Sequence, residues 1–381
     1  MGIKDIGLYI HIPFCYAKCL YCDFFSMVSN DKLFKKKYLE ALKKEIEIYS
    51  QKITDINILS IYIGGGTPTI LSGIQIEEIL ECCYTQFNID QKIEITIESN
   101  PGTFDYKKAK TLFQAGVNRL SIGAQSFSDK TLKKIGRIHN KRDILACYQY
   151  AREAGFKNIN IDLMFGLPGQ TKRQFKETLT EIIDLYPEHI SLYALSIESG
   201  TPLADLINMG TLKIPSDDFS NELFWEAIAI LDEQGYEHYE ISNFALPGKR
   251  CFHNQIYWKN QEYLGVGAGS TSYLAGKRYQ NYRDLRQYTM LLEYGILPIE
   301  SQEILTKKEK MAESIILQLR MREGLDKNGF MIKFNTPVEK IYSQSILFLK
   351  EQGLLAENET HYFLTKKGIS LANNVFMEFL D

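Results

Sequence analysis

The sequence predicts an α/β protein: a partial (β/α)6 barrel, then a connecting segment and a mostly helical, winged-helix-like domain. Two patterns in its 381 residues carry that expectation. From about residue 6 to 195, short β-rich segments alternate with helical ones, as in a parallel sheet wound with helices. Beyond about residue 303, helices followed by a hairpin replace that alternation. The boundaries read as 1–235 for the barrel, 236–302 for the connecting segment and 303–381 for the last domain.

Six strands are expected near residues 6–12, 58–64, 92–99, 119–125, 158–164 and 189–195. One face of each is aliphatic: Leu8 and Ile10; Leu59, Ile61 and Ile63; Ile93, Ile95 and Ile97; Leu120 and Ile122; Ile159, Ile161 and Leu163; Ile190 and Leu192. The other is polar, from Tyr9 and His11 through Ser60, Tyr62, Glu94, Thr96, Glu98, Arg119 and Ser121 to Asn160, Asp162, His189 and Ser191. Side chains alternate strictly along a strand, so a sheet curled with its polar face inward has a hydrophilic lumen. A complete eight-stranded barrel instead fills its lumen with branched apolar side chains. An incomplete barrel with a binding chamber follows. Ser216 as N-cap and Gly235 as stop bracket a helix at 217–234, with Phe219, Leu223, Ala227 and Leu231 along one face. The Gly- and Tyr-rich segment 258–275 reads as a loop against the barrel mouth. Helices at 307–321 and 338–351, a hairpin of 354–356 with 361–364, and a terminal helix from Lys366 complete the chain.

A net charge of −3 without a basic stripe argues against a nucleic-acid or anionic-membrane partner, and Lys35-Lys36-Lys37 reads as a solvated helix face. No apolar run reaches the length of a membrane span, and the start lacks a signal-peptide core, so a cytoplasmic protein is expected. Of seven cysteines, Cys82, Cys83 and Cys147 fall within helices and read as packing.

The other cysteines carry chemistry. Cys15, Cys19 and Cys22 follow the first strand at spacings x3 and x2. Three thiolates are one fewer than a four-iron cluster needs, leaving one iron open to a small ligand, whereas a structural zinc would need a fourth donor such as His11 or Asp23. Parallel barrels build their sites at the C-terminal ends of strands. There this chain has Gly64-Gly65-Gly66-Thr67, Glu98, Gln125 and Asp162, with Arg137 after the fourth strand. Singly, each acid also fits a salt-bridged rim residue and Arg137 a helix-end charge.

The cysteine spacing, with Tyr21 before Cys22, resembles the radical S-adenosylmethionine (SAM) superfamily. That resemblance implies a [4Fe-4S] cluster on Cys15, Cys19 and Cys22, SAM on its open iron, and an electron donor. Nearly the whole chain is similar to the oxygen-independent coproporphyrinogen III oxidase family. By that resemblance Tyr9 lies near the SAM sulfonium, Gly65, Gly66 and Thr67 near the methionine amino group, and Glu98 beside that group or a second site. Arg137 pairs with a carboxylate, and Gln125 and Asp162 take the ribose hydroxyls.

Three departures from the dehydrogenase point to the HemW-type haem chaperones. Phe24 stands where the dehydrogenase has a further cysteine, the cluster loop begins at residue 15 with no room for an N-terminal extension, and His253-Asn254-x-x-Tyr257-Trp258 marks the HemW type. The resemblance implies haem binding and transfer to acceptor haemoproteins. His253 offers an imidazole, Tyr257 and Trp258 flat surface, and Cys251 a second, softer ligand. Read without the resemblance, His253 braces a loop and Trp258 is core. Coproporphyrinogen oxidation remains an alternative, a purely structural cluster a third; homodimerisation is left open.

Overall fold

A computed structural model describes residues 4–380. Six parallel strands form the barrel: β1 (Lys4–Ile12), β2 (Ile56–Gly65), β3 (Asn88–Ser99), β4 (Arg119–Gln125), β5 (Ile159–Phe165) and β6 (His189–Ala194). Between them run α1 (Lys32–Lys52), α2 (Gly73–Gln86), α3 (Tyr106–Gln114), α4 (Asp129–Lys134), α5 (Lys141–Ala154) and α6 (Lys172–Asp184). Their starts follow from local chemistry: Asp31, Ser72, Asn140 and Thr171 each accept from a backbone N–H of the first turn.

The expected aliphatic face is the core. Leu8, Ile10, Ile61, Ile63, Leu120, Ile122, Ile159 and Ile161 are buried under the helices, while Ser60, Thr96, Arg119, Asn160 and His189 are buried on the inner side. Leu59 departs from the expectation. The β1–β2 register shifts, with Ile6 opposite Ile58 and Gly7 opposite Ser60, so Leu59 is the extra residue of a bulge and Ile58 takes the core position.

Segment 258–275 is not a loop. After α7 (Pro202–Asn208) and α8 (Asp217–Glu233), β7 (Glu237–Glu240) and β8 (Asn243–Ala245) pair antiparallel beyond β6. The chain then returns through α9 (Phe252–Trp258) to the opposite edge. There β9 (Tyr263–Val266) lies parallel to β1, and β10 (Thr271–Leu274), β11 (Lys277–Asn281) and β12 (Ile299–Ile304) continue the sheet antiparallel. The result is one twelve-stranded sheet, β12-β11-β10-β9-β1-β2-β3-β4-β5-β6-β8-β7. Gly265 made this stretch look like a loop, yet it is a strand residue whose added Cβ would run into the Thr271 carbonyl.

Between β11 and β12 lies α10 (Leu285–Glu293). The C-terminal part comprises α11 (Lys307–Leu319), β13 (Leu325–Asp326), α12 (Lys327–Phe334), α13 (Val338–Glu351), the hairpin β14 (Leu355–Glu357) and β15 (His361–Leu364), then α14 (Lys366–Ser370) and α15 (Ala372–Met377). The single terminal helix expected from Lys366 is thus two short ones, and α12 had no counterpart in the expectation. No helix among the described residues is long and apolar enough to cross a membrane.

Candidate functional site

The C-terminal strand ends open on a cavity of about 540 Å3 whose lining includes all three cysteines, Gly65, Gly66, Thr67, Glu98, Gln125, Arg137 and Asp162. Residues scattered over some 150 positions thus share one chamber, because each follows or ends a parallel strand.

Backbone geometry makes room for it. Gly65 has φ +114°, and a Cβ there would lie 2.6 Å from the His11 ring. A Cβ on Gly66 would lie 2.6 Å from the Phe14 carbonyl and 3.0 Å from Cys15 Sγ. Both positions require glycine for close approach to the cysteine loop. Gln125 holds φ +64° without being glycine, a strained conformation at a strand end that lines the cavity.

Hydrogen bonds tie the polar groups of the chamber into three sets. Arg137 donates from Nη1 to Cys19 Sγ at 3.3 Å and from Nη2 to Asn100 Oδ1 at 2.6 Å and the Gly123 carbonyl. Asn100 donates to Thr67 Oγ1 at 2.7 Å, and Thr67 to Cys15 Sγ at 3.6 Å. Burial opposes the Arg137 charge, yet Tyr21 and Cys19 hold its pKa above the ordinary value. Glu98 accepts from Tyr62 OH at 2.9 Å and from the Gly65 N–H at 3.1 Å; burial pushes its carboxyl up to about 7. Asp162 accepts from Asn160 at 2.7 Å and Ser121 at 3.2 Å, and burial raises its pKa also.

The thiols suit a polynuclear cluster better than one ion. Among the described residues no three His, Cys, Asp or Glu side chains converge on a single metal position. His11, one of the two fourth donors a zinc could have used beside Asp23, has Nδ1 3.0 Å from Tyr9 OH and Nε2 2.9 Å from the Phe25 carbonyl. A cluster assigns each thiolate its own iron, and three thiols around one chamber meet that requirement.

Tyr9 lines a second cavity, of about 450 Å3, which meets the first at Asp23, Phe24, Gly65 and Glu98. Tyr257 lines it too. The rest of the expected haem set does not face either cavity. His253 is fully buried at the foot of the barrel, with Nδ1 2.8 Å from Ser60 Oγ and Nε2 2.9 Å from Tyr257 OH. Burial and the nearby Arg119 charge depress its pKa to about 3, leaving a neutral ring with both nitrogens engaged. Cys251 is fully buried, its thiol against Glu94 Oε1 at 3.4 Å and pushed up to about 12 by burial. Trp258 packs under the Arg320 guanidinium, 4.4 Å from its ring, beside Tyr239, Ala245 and Met321. In this structure His253 and Trp258 form a brace and a core contact, the alternative their residue types also allowed. Sequence reasoning passed over Asn100 and Tyr62 as site members; Asn100 stood two residues beyond Glu98 and Tyr62 on the polar strand face.

Comparison with known proteins now adds to this geometry. Residues 9–182 match the radical SAM superfamily and residues 305–371 the HemN C-terminal domain. The heme chaperone HemW of Lactococcus lactis is 38% identical over 380 residues, covering 99% of this chain and 98% of its own. The chain belongs to the heme chaperone HemW family. The HemW proteins of Bacillus subtilis, at 36% identity over 98% of both chains, and Escherichia coli, at 32% over 99% of both, extend the match. Among solved structures, the coproporphyrinogen III oxidase HemN of E. coli, a radical SAM enzyme, superposes with a TM-score of 0.86 at 26% identity, covering 99% of this chain and 90% of its own. This HemW-family chain therefore has the radical SAM fold with a C-terminal helical domain, and membership implies a [4Fe-4S] cluster and SAM.

Proposed function

We propose that the protein is a haem chaperone that binds haem and passes it to acceptor haemoproteins while carrying a SAM-binding [4Fe-4S] cluster. The observation that carries this reading is the end-to-end similarity to heme chaperones HemW, including the Lactococcus lactis protein over 99% of the chain. Cys15, Cys19 and Cys22 would hold three irons, and the fourth iron with SAM would supply reductive chemistry when a donor delivers an electron. Arg137 sets a fixed positive charge against Cys19 and is positioned by Asn100. Asp162 and Gln125 offer acceptors for ribose hydroxyls, and Gly65 and Gly66 let the backbone approach the ligand. Glu98, its pKa near 7, can hold or release a proton at its carboxyl.

Oxidative decarboxylation of coproporphyrinogen III is the second reading, favoured by the TM-score of 0.86 to HemN. Phe24 on the cavity wall, where a further cysteine belongs in the dehydrogenase pattern, weighs against it. The test is an anaerobic incubation of cluster-reconstituted protein with SAM, a reductant and coproporphyrinogen III. No protoporphyrinogen IX is expected, together with uptake of added haem; efficient formation of that product would sink the chaperone reading.

A further inference from the structure

Apart from Tyr9 and the seam at Asp23, Phe24, Gly65 and Glu98, the second cavity has no role in the cluster or in the SAM contacts above. Its walls combine aromatic rings with polar groups from Ser270, Thr271 and Gln280. Phe24 is 68% exposed although it sits between the two chambers, and Phe25 stacks on His11 at 5.9 Å between ring centroids. Tyr257 and Tyr263, also in the lining, meet edge to face at 4.6 Å. Arg283, from the turn after β11, lines this cavity and not the cluster chamber, and no carboxylate forms an ion pair with it among the described residues. The acids of the lining, Asp23 and Glu98, lie at the seam with the cluster chamber.

We infer that this cavity is the haem seat: the macrocycle lies against Phe24, Phe25, Tyr257 and Tyr263, and Arg283 pairs with a propionate. The inference rests on the haem-chaperone reading and deepens it. A planar, largely apolar dianion needs flat surface and an uncommitted cation, and the second cavity offers both in a volume of about 450 Å3. A guanidinium with no ion-pair partner among the described residues gives a carboxylate its bidentate counterpart without breaking an existing pair. The two acidic groups lie at the seam with the cluster chamber and Arg283 does not, so charge also favours the propionates on the Arg283 side. In this arrangement His253 is a positioning residue. Its Nε2 holds the Tyr257 hydroxyl at 2.9 Å and so fixes the ring that forms one wall, while its own ring never reaches the haem.

The experiment titrates cluster-loaded protein anaerobically with hemin and with hemin dimethyl ester, whose propionates are capped, and reads the Soret band. Wild type should bind hemin about tenfold more tightly than the ester, the worth of one charge-assisted hydrogen bond. Arg283→Ala should bind both alike, and Gln280→Trp, which fills the cavity from β11, should lose most binding of either. His253→Gln should keep the wild-type Soret position with weaker affinity, since the ring wall loosens but the haem ligation does not change. Unaltered hemin affinity in both Arg283→Ala and Gln280→Trp, or a displaced Soret band in His253→Gln, would overturn the seat while leaving the chaperone reading intact. Absence of hemin binding by wild type would instead strike the chaperone reading itself.

Discussion

At the scale of single residues, the site separates groups that hold the cluster from groups that hold its small-molecule ligand. Replacing Cys22 with Ala removes one of three thiolates and should abolish a full complement of iron and sulfide after anaerobic reconstitution; Cys147→Ala, altering a buried thiol on α5 beside Ser99, should not. Retention of iron by Cys22→Ala would overturn the ligand assignment. Asp162 is one step further out. Its carboxylate is held by Asn160 and Ser121 and lines the chamber, so Asp162→Ala should leave the cluster intact and weaken SAM binding by about 1.5–3 kcal/mol, the usual loss for a hydrogen bond involving a charged group. Equilibrium binding of labelled SAM measures this directly, and unchanged affinity in both Asp162→Ala and Gln125→Ala would refute the ribose contacts.

At the scale of elements, the six parallel strands were legible because a buried sheet with a polar lumen imposes period-two alternation on every strand, as Leu120, Ser121 and Ile122 show on β4. The edge strands were hidden. β9 carries Gly265 because Thr271 lies too close for any side chain, and β10 and β11 are half exposed, so their polar and aromatic residues show no hydrophobic period. The cysteine and strand-end residues could be read from spacing, whereas Arg283 and the burial of His253 depend on contacts between distant segments. Glu45 is another such case. It sits on α1 beside two lysines, yet is fully buried, with Oε2 accepting from the Gly267 N–H at 2.7 Å and Tyr288 OH at 2.6 Å, and Oε1 from Asn281 at 2.6 Å. This one carboxylate ties α1 to the turn after β9, to β11 and to α10. Glu45→Ala leaves the Gly267 N–H and the Tyr288 hydroxyl without an acceptor, while Asn281 keeps the Gly267 carbonyl and Ser270 Oγ, and should cost about 3 kcal/mol in urea unfolding, with Glu45→Gln costing less. Equal midpoints for Glu45→Ala and wild type would show that water replaces the carboxylate without loss.

At the scale of the whole molecule, buried titrating groups pull stability in opposite directions as pH changes, and their number decides the outcome. Burial lowers His11, His139 and His238 to about 4, His253 to about 3, and His189 well below its ordinary value. Between about pH 4.5 and 6.5 the unfolded chain protonates these five while the native chain does not, so each makes stability rise with pH. Burial raises Glu45, Glu98 and Glu240 to about 7, and Asp162 in the same direction. In the same window the native chain keeps protons on the three glutamates that the unfolded chain has released, so they make stability fall; Asp162 adds to that fall over the range its raised pKa spans. Five histidines outnumber the three glutamates and Asp162. The urea midpoint of the cluster-free chain should therefore climb from pH 4.5 to 6.5 and level or dip slightly toward pH 7, where the unfolded histidines lose their last protons and the glutamates balance them. Individual variants separate the two sets. His238→Gln removes a ring stacked on Phe244 at 4.6 Å and should flatten the climb, whereas Glu240→Gln removes an opposing group and should steepen it. A midpoint that falls steadily across this window would mean that the buried carboxyls, not the histidines, control the acid limb.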